Sequence, residues 1–291
     1  MSKKRVSTDR HTSGDWLSRS LKRVGFIGVA LAGGKTDKTC LAFLEYYPEH
    51  NKLFLSHLSD KIKSEGDISG DLRLHEEIAH SRMKTELLAF NVPLTLPKCM
   101  TCRLKCPGYE TCKEKEILWM WDHQRRAESK NPNRKLFTPY TERCVEQYLN
   151  TEFEEPFQVQ HALGANQAPL TARAHFLLRR LKIKAIEVHP RISLWRIGRS
   201  LHIQKSYLKY HKHQVGGDEA RLTILKELVR REITFLYEQD VRLMVENANA
   251  FDAFMCALTA VLKYREQCEK KPKDFPRDEG WIEIPKDHIV W

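Results

Sequence analysis

No apolar run in this chain of 291 residues reaches the length needed to span a bilayer, and its first residues, Met1-Ser2-Lys3-Lys4-Arg5, carry no apolar signal core. A cytoplasmic setting without a membrane partner is therefore expected. Internal repeats and low-complexity tracts are missing as well, so the chain does not read as an array of repeated units. A hydrophobic content of 41% and an aromatic content of 9% exclude a disordered polypeptide. The length allows one substantial core, or one core with a small satellite.

Cysteine is sparse except in one block. Cys40, Cys144, Cys256 and Cys268 are scattered, and Cys40 and Cys256 sit in apolar runs as small core residues would. The other four are Cys99-x2-Cys102-x3-Cys106-x5-Cys112, directly after an apolar run of strand type. Thiolates crowded so closely repel unless something positive lies between them, and a reducing compartment disfavours disulfides. The expected occupant is Zn²⁺ or a 4Fe–4S cluster. One Cys-x2-Cys pair suits zinc, whereas a cysteine followed by proline (Cys106-Pro107) suits a cluster, and the spacing leaves both open. Lys98, Arg103, Lys105 and Lys113 could let the same block grip phosphates.

Acid is nearly absent from another stretch. Between Arg173 and Lys212 eleven Lys or Arg residues face a single acid, Glu187, although the whole chain carries a net charge of only +11. Trp195, Tyr207 and Tyr210 are interleaved with the cations. Positive charge with aromatic rings is the footprint expected for a phosphate backbone with unstacked bases. The candidate nucleic-acid contacts are Arg173, Arg179, Arg180, Arg191, Arg196, Arg199, Lys205 and Lys209. A solvated basic face is the plainer alternative.

Along the chain, residues 1–23 read as a basic tail, 24–285 as one domain with a cysteine-rich insertion at 98–135, and 286–291 as a C-terminal tail. Apolar runs at 24–31, 39–47 and 53–58, with a turn at Pro48-Glu49-His50-Asn51, predict an antiparallel meander. A helix over 71–84 followed by a strand over 87–92 predicts a parallel crossover. Further helices are expected at 139–150, 169–181, 218–238 and 249–267, the last buried all round. A fifth strand over 183–188 stops at His189-Pro190, and 280–285 alternates like a closing edge strand. The order is that of a ribonuclease H-like α/β fold: a mixed sheet with helices on both faces.

Four segments carry a family resemblance: Ile27-Gly28-Val29-Ala30-Leu31-Ala32-Gly33, Asn91-Val92-Pro93-Leu94-Thr95-Leu96-Pro97, Glu187-Val188-His189-Pro190, and Phe251-Asp252-Ala253-Phe254-Met255-Cys256-Ala257-Leu258-Thr259-Ala260. With Gly280-Trp281-Ile282-Glu283-Ile284-Pro285, they resemble domain-of-unknown-function family 429, predicted nucleases of ribonuclease H-like fold. The resemblance implies carboxylates holding Mg²⁺ or Mn²⁺ for phosphodiester hydrolysis, one cation activating water and another neutralising the leaving oxygen. By this resemblance Glu187 and Asp252 are the metal ligands. The family's other acidic positions fall on Ala30, Asn91 and Asn249.

The carboxylate set is thus reduced. Asn91 offers an amide oxygen without charge, and Asp37, in the turn after the first strand, is a candidate replacement. A divalent-metal nuclease is the first expectation, and a catalytically impaired ribonuclease H-like nucleic-acid-binding protein the second. For Glu187 the structural alternative is an ion pair with Lys184 or Arg191. For Asp252 it is a favourable place near a helix start capped by Asn249. The hairpin Gly33-Gly34-Lys35-Thr36-Asp37-Lys38-Thr39 leaves a minor third reading, an actin-like or sugar-kinase-like phosphate turn built on Lys35 and Thr36.

Overall fold

A computed structural model describes residues 22–33, 38–81, 84–130, 132–155 and 157–291. In chain order the elements are β1 (Val24–Ala30), β2 (Thr39–Tyr47), β3 (Lys52–Ile62), α1 (Gly70–Ala79), β4 (Thr85–Phe90), α2 (Lys98–Thr101), α3 (Lys115–Lys130), α4 (Cys144–Glu152) and α5 (Gln167–Leu178). They continue with β5 (Ala185–Val188), α6 (Pro190–Ser200), α7 (Lys205–Lys209), α8 (Gly217–Arg230), β6 (Thr234–Phe235), α9 (Glu238–Glu246), α10 (Ala248–Tyr264) and β7 (Ile282–Glu283).

The strands form one mixed sheet in the order β6-β3-β2-β1-β4-β5-β7. The first three make the expected antiparallel meander, and its turn is closed by Asn51 at φ 51°. Asparagine tolerates that left-handed backbone better than most residues. After α1, β4 returns parallel to β1, and β5 lies parallel to β4, so the crossover expected from the sequence is present.

Period-two alternation sends successive strand residues to opposite faces. Phe26, Ala42, Leu44, Leu55 and Leu87 pack with Phe251, Phe254 and Leu258 of α10 on one face. Ile27, Val29, Leu41, Phe43, Leu88 and Phe90 pack with Leu74 and Ile78 of α1 and Ala174 and Leu177 of α5 on the other. Both faces are covered, which is why β2 is apolar at nearly every position instead of alternating with polar residues.

Helix α10 crosses β1 at Gly28. A Cβ there would stand 2.0 Å from the Ala253 carbonyl oxygen and 2.4 Å from the Ala257 amide nitrogen. Glycine on the strand and alanines four apart on the helix bring the two backbones together. Residues 250–262 of α10 are buried throughout, as their composition predicts. The helix is capped by Asn247, whose Oδ1 accepts from the Asn249 and Ala250 amides at 3.0 and 3.4 Å. This corrects the assignment of Asn249 as cap and moves Asp252 beyond the first turn, so the helix dipole does not account for its carboxylate.

Other elements also depart from expectation. His189-Pro190 ends β5 but also opens α6, with proline in the first turn and His189 as N-cap. The helix expected from residue 139 starts at Cys144, and α8 stops at Arg230 before the two-residue strand β6. Within the insertion, Trp119 stacks on His123 at 4.7 Å and meets Phe275 at 5.2 Å, while Trp121 stacks on Tyr109 at 6.0 Å. The Trp119–Phe275 contact fastens the insertion to the C-terminal segment. Among the described residues no helix is long and apolar enough to cross a membrane.

Candidate functional site

Strands β4 and β5 run in the same direction, so Asn91, just past β4, and Glu187, near the end of β5, reach the same edge of the sheet. Helix α10 begins beside that edge and brings Asp252. All three line one cavity of about 340 Å³, together with Glu146, His189, Arg191, Lys212 and Asn249. Three expected site residues are thereby gathered in the crevice beyond the carboxyl ends of parallel strands, where α/β proteins commonly bind ligands. The fourth, Asp37, lies outside the described residues, as do Lys35 and Thr36 of the phosphate-turn reading.

The hydrogen bonds of these residues decide their chemistry. Asn91 Oδ1 accepts from the Leu31 amide at 2.8 Å, and its Nδ2 donates to the Leu31 carbonyl at 3.5 Å. The side chain thus continues the β1–β4 pairing by one step. Glu187 is held by Arg143, which donates from Nη1 to Oε2 at 2.8 Å and from Nη2 to Oε1 at 2.6 Å. The Leu94 amide adds a third bond to Oε2 at 3.0 Å. The salt bridge foreseen as the structural alternative is present, but its partner is neither Lys184 nor Arg191.

Arg143 serves two acids. Its Nε and Nη2 also donate to Glu146 Oε1 at 2.8 and 2.6 Å, and Nη1 donates to Thr95 Oγ1 at 2.8 Å. The Arg143 and Glu146 side chains are fully buried and that of Glu187 nearly so. Burial pushes the Glu146 carboxyl up to about 7 against the opposing pull of Arg143. The arginine itself is held above its ordinary range, because Glu187 and Glu146 outweigh its desolvation. Gly280 passes over this cluster, and a Cβ there would sit 2.0 Å from Thr95 Oγ1.

Asp252 is equally committed. His211 Nε2 lies 3.3 Å from its Oδ1, and Lys212 Nζ pairs with its Oδ2. Burial pushes this carboxyl up, but Lys212 and His211 together outweigh burial and hold it below the ordinary carboxylate range. His189 is different in character. Burial lowers its pKa to about 4, and its Nδ1 accepts from the Ile192 amide at 3.4 Å. A neutral ring accepting at Nδ1 carries its proton on Nε2, so His189 is a donor at neutral pH.

A hard cation seeks several free oxygens. Here the amide oxygen of Asn91 and the carboxylates of Glu187 and Asp252 are already bonded to groups of the chain, and Arg143 and Lys212 occupy the cationic roles. This donor set does not fit Mg²⁺ or Mn²⁺ as it stands. Sequence reasoning missed Arg143 and Glu146. Their signal was the three-residue spacing of a helix start, since Glu146 Oε2 accepts from the Arg143 amide at 2.7 Å.

The eight candidate nucleic-acid contacts divide in two. Arg173 pairs with Asp71, Arg196 and Arg199 with Glu154, and Lys209 with Glu155. Arg179, Arg180 and Lys205 are exposed, and Arg191 lies over the Phe157 ring at 4.9 Å. Trp195 is 1% exposed and donates to Glu154 at 3.0 Å, so it packs in the core and is not available to stack on a base. Tyr210 is exposed.

The four block cysteines form no disulfide with one another and line a second cavity of about 440 Å³. Among the described residues no group of three or more His, Cys, Asp or Glu side chains is placed to hold a metal ion. Cys40, Cys144, Cys256 and Cys268 are buried, as small core residues are.

No curated protein and no solved structure matches the chain. A family model does match, over residues 76–277, more than half of the chain and the region holding Asn91, Arg143, Glu187 and Asp252. The chain therefore belongs to the family described as Protein of unknown function (DUF429).

Proposed function

We propose that this is a ribonuclease H-like nucleic-acid-binding protein whose carboxylate site has been neutralised by the chain's own cations, so that it grips a phosphodiester backbone without hydrolysing it. The observation that carries this reading is the pairing of Glu187 with Arg143 and of Asp252 with Lys212. Both carboxylates that metal-assisted hydrolysis would draw on are already matched by a cation of the chain. The meander of β1–β3 followed by parallel β4 and β5, with helices on both faces, supports the ribonuclease H-like assignment. Arg191, the outer side of Lys212 and the Nε2–H of His189 all line the cavity and would donate to phosphate oxygens.

A second reading, a divalent-metal nuclease, is favoured by one specific fact: Asn91, Glu187 and Asp252 share a single cavity. It requires Lys212 to swing away from Asp252 when a metal arrives.

The test is a panel of labelled single- and double-stranded DNA and RNA with Mg²⁺ or Mn²⁺, in which binding and cleavage are read in parallel. Binding without metal-dependent cleavage, weakened several-fold in Arg191→Ala, is the expected result. Cleavage abolished by both Glu187→Gln and Asp252→Asn would establish the nuclease instead. Failure to bind any of the four substrates would sink both readings.

A further inference from the structure

The first cavity has a polar wall that the phosphate-gripping groups do not account for. His189 and Arg191 come from the start of α6 and Lys212 from the segment between α7 and α8, whereas Gln158, Gln160, Asn166 and Gln167 come from the segment that joins α4 to α5 and from the start of α5. That joining segment is held at fixed points. Asn150 of α4 accepts from the Val159 amide at 2.8 Å and donates to the Val159 carbonyl at 3.1 Å. The Leu163 amide donates to the Thr141 carbonyl at 3.0 Å, and Thr171 Oγ1 of α5 donates to the Ala162 carbonyl at 2.7 Å. Burial alternates from Phe157 to Gln160, so the two glutamines share the open side of this stretch.

The carboxamides of this wall are open to a ligand. Asn166 is the N-cap of α5, where an asparagine side chain ordinarily accepts from the second or third helical amide. Here its backbone is itself helical, at φ −73° and ψ −8°, and its side chain makes no such bond. Gln158, Gln160 and Asn166 are exposed. A carboxamide sets a donor beside an acceptor, the pattern that nucleobase edges complement. Leu31, Val92 and Leu170 line the same cavity and give apolar surface for the face of a ring. A volume of about 340 Å³ lies at the small end of ligand pockets. A base enters a space of that size only when it is unpaired and out of its stack.

We infer that this cavity takes one unpaired nucleotide, its phosphate on Arg191 and Lys212 and its base edge on Gln158, Gln160 and Asn166. The inference rests on the nucleic-acid-binding reading and narrows it. The protein selects a single strand or an open end over paired substrate, and the carboxamides set which base is preferred. A free mononucleotide carries the same chemistry, so the two sources are separated by experiment.

Anisotropy titrations of the full chain compare the four single-stranded homopolymers, a blunt duplex and the same duplex with a single-stranded overhang, with free mononucleotides as competitors. Single strands and the overhang should bind several-fold more tightly than the blunt duplex, and the best and worst homopolymers should differ by about fivefold or more. Gln158→Ala combined with Gln160→Ala, at exposed positions, should erase most of that spread while circular dichroism and the thermal midpoint stay unchanged. Arg191→Ala should instead weaken all four homopolymers alike. A blunt duplex bound as tightly as the single strands, or a base preference untouched by the glutamine pair, would overturn the inference and leave the nucleic-acid-binding reading standing. Mononucleotides that compete as well as the strands would overturn it in favour of a free nucleotide. Absence of binding to every oligonucleotide would remove the parent reading itself.

Discussion

Arg143 is the residue on which the first cavity turns, because two carboxylates depend on one guanidinium away from water. Breaking a buried ion pair from one side leaves an uncompensated charge and typically costs about 3–5 kcal/mol. Arg143→Ala should lose stability in that range in urea titrations, while Arg143→Met combined with Glu146→Leu and Glu187→Leu should recover much of it. Two buried groups also give stability opposite pH dependences. Glu146 is held near 7 against an ordinary 4.5, so its folded-state proton is a gain below about 4.5 that is lost as pH rises through about 7. His123 is lowered by burial to about 4 against 6.5, so the fold loses stability as pH falls from about 6.5 to 4. Unfolding midpoints measured across this range should show the neutral-side decline flattened in Glu146→Gln and the acid-side decline flattened in His123→Phe. That Asn91, Glu187 and Asp252 line one cavity was legible only through the family resemblance of their segments. Their partners were not, because Arg143 lies 44 positions from Glu187 and nothing in the spacing linked them.

Between elements, β1 and α10 approach closely at Gly28, and that contact tests whether backbone proximity or side-chain volume limits the core. Gly28→Ala would press a methyl against backbone atoms of Ala253 and Ala257, which no rotamer change relieves. Overpacking of this kind typically costs about 1–3 kcal/mol, and denaturant unfolding should place the variant at or above the upper end. Asn247 supplies the start of the same helix and also donates to the Asp60 carbonyl at 3.2 Å. Asn247→Ala should cost about 1 kcal/mol from the cap, with further loss from the freed carbonyl, read by the same titration. The major strands were legible because turns bound their apolar runs. Helix α6 was not, because a proline that ends a strand and one that opens a helix look alike when they are the same residue. Strand β6 has only two residues, too few to show any period.

The positive stretch of the sequence is less available in the whole molecule than its composition implies. Arg173, Arg196, Arg199 and Lys209 are already matched by acids from elsewhere in the chain, a long-range pairing that no local count reveals. Of the eight candidate cations, Arg179, Arg180, Arg191 and Lys205 remain for phosphates. Each phosphate neutralised on duplex DNA changes the slope of log affinity against log salt by about −0.9, so this set contributes about −4, not about −7. Replacing those four by alanine should flatten the salt dependence of oligonucleotide binding. Arg196→Ala should lower thermal stability and leave that slope nearly unchanged.

The two outermost strands of the sheet also arrive late. Strand β6 pairs with Leu53 and Phe54 at the outer edge of β3, β7 pairs with Glu187 and Val188 at that of β5, and both follow β5 in the chain. During synthesis, a ribosome that has released everything through β5 presents a half-built sheet with two unpaired borders, each able to recruit a neighbouring nascent chain. Chaperone demand should therefore persist until residues 282–283 emerge, and a truncation before Ile282 should leave the border of β5 open to such pairing.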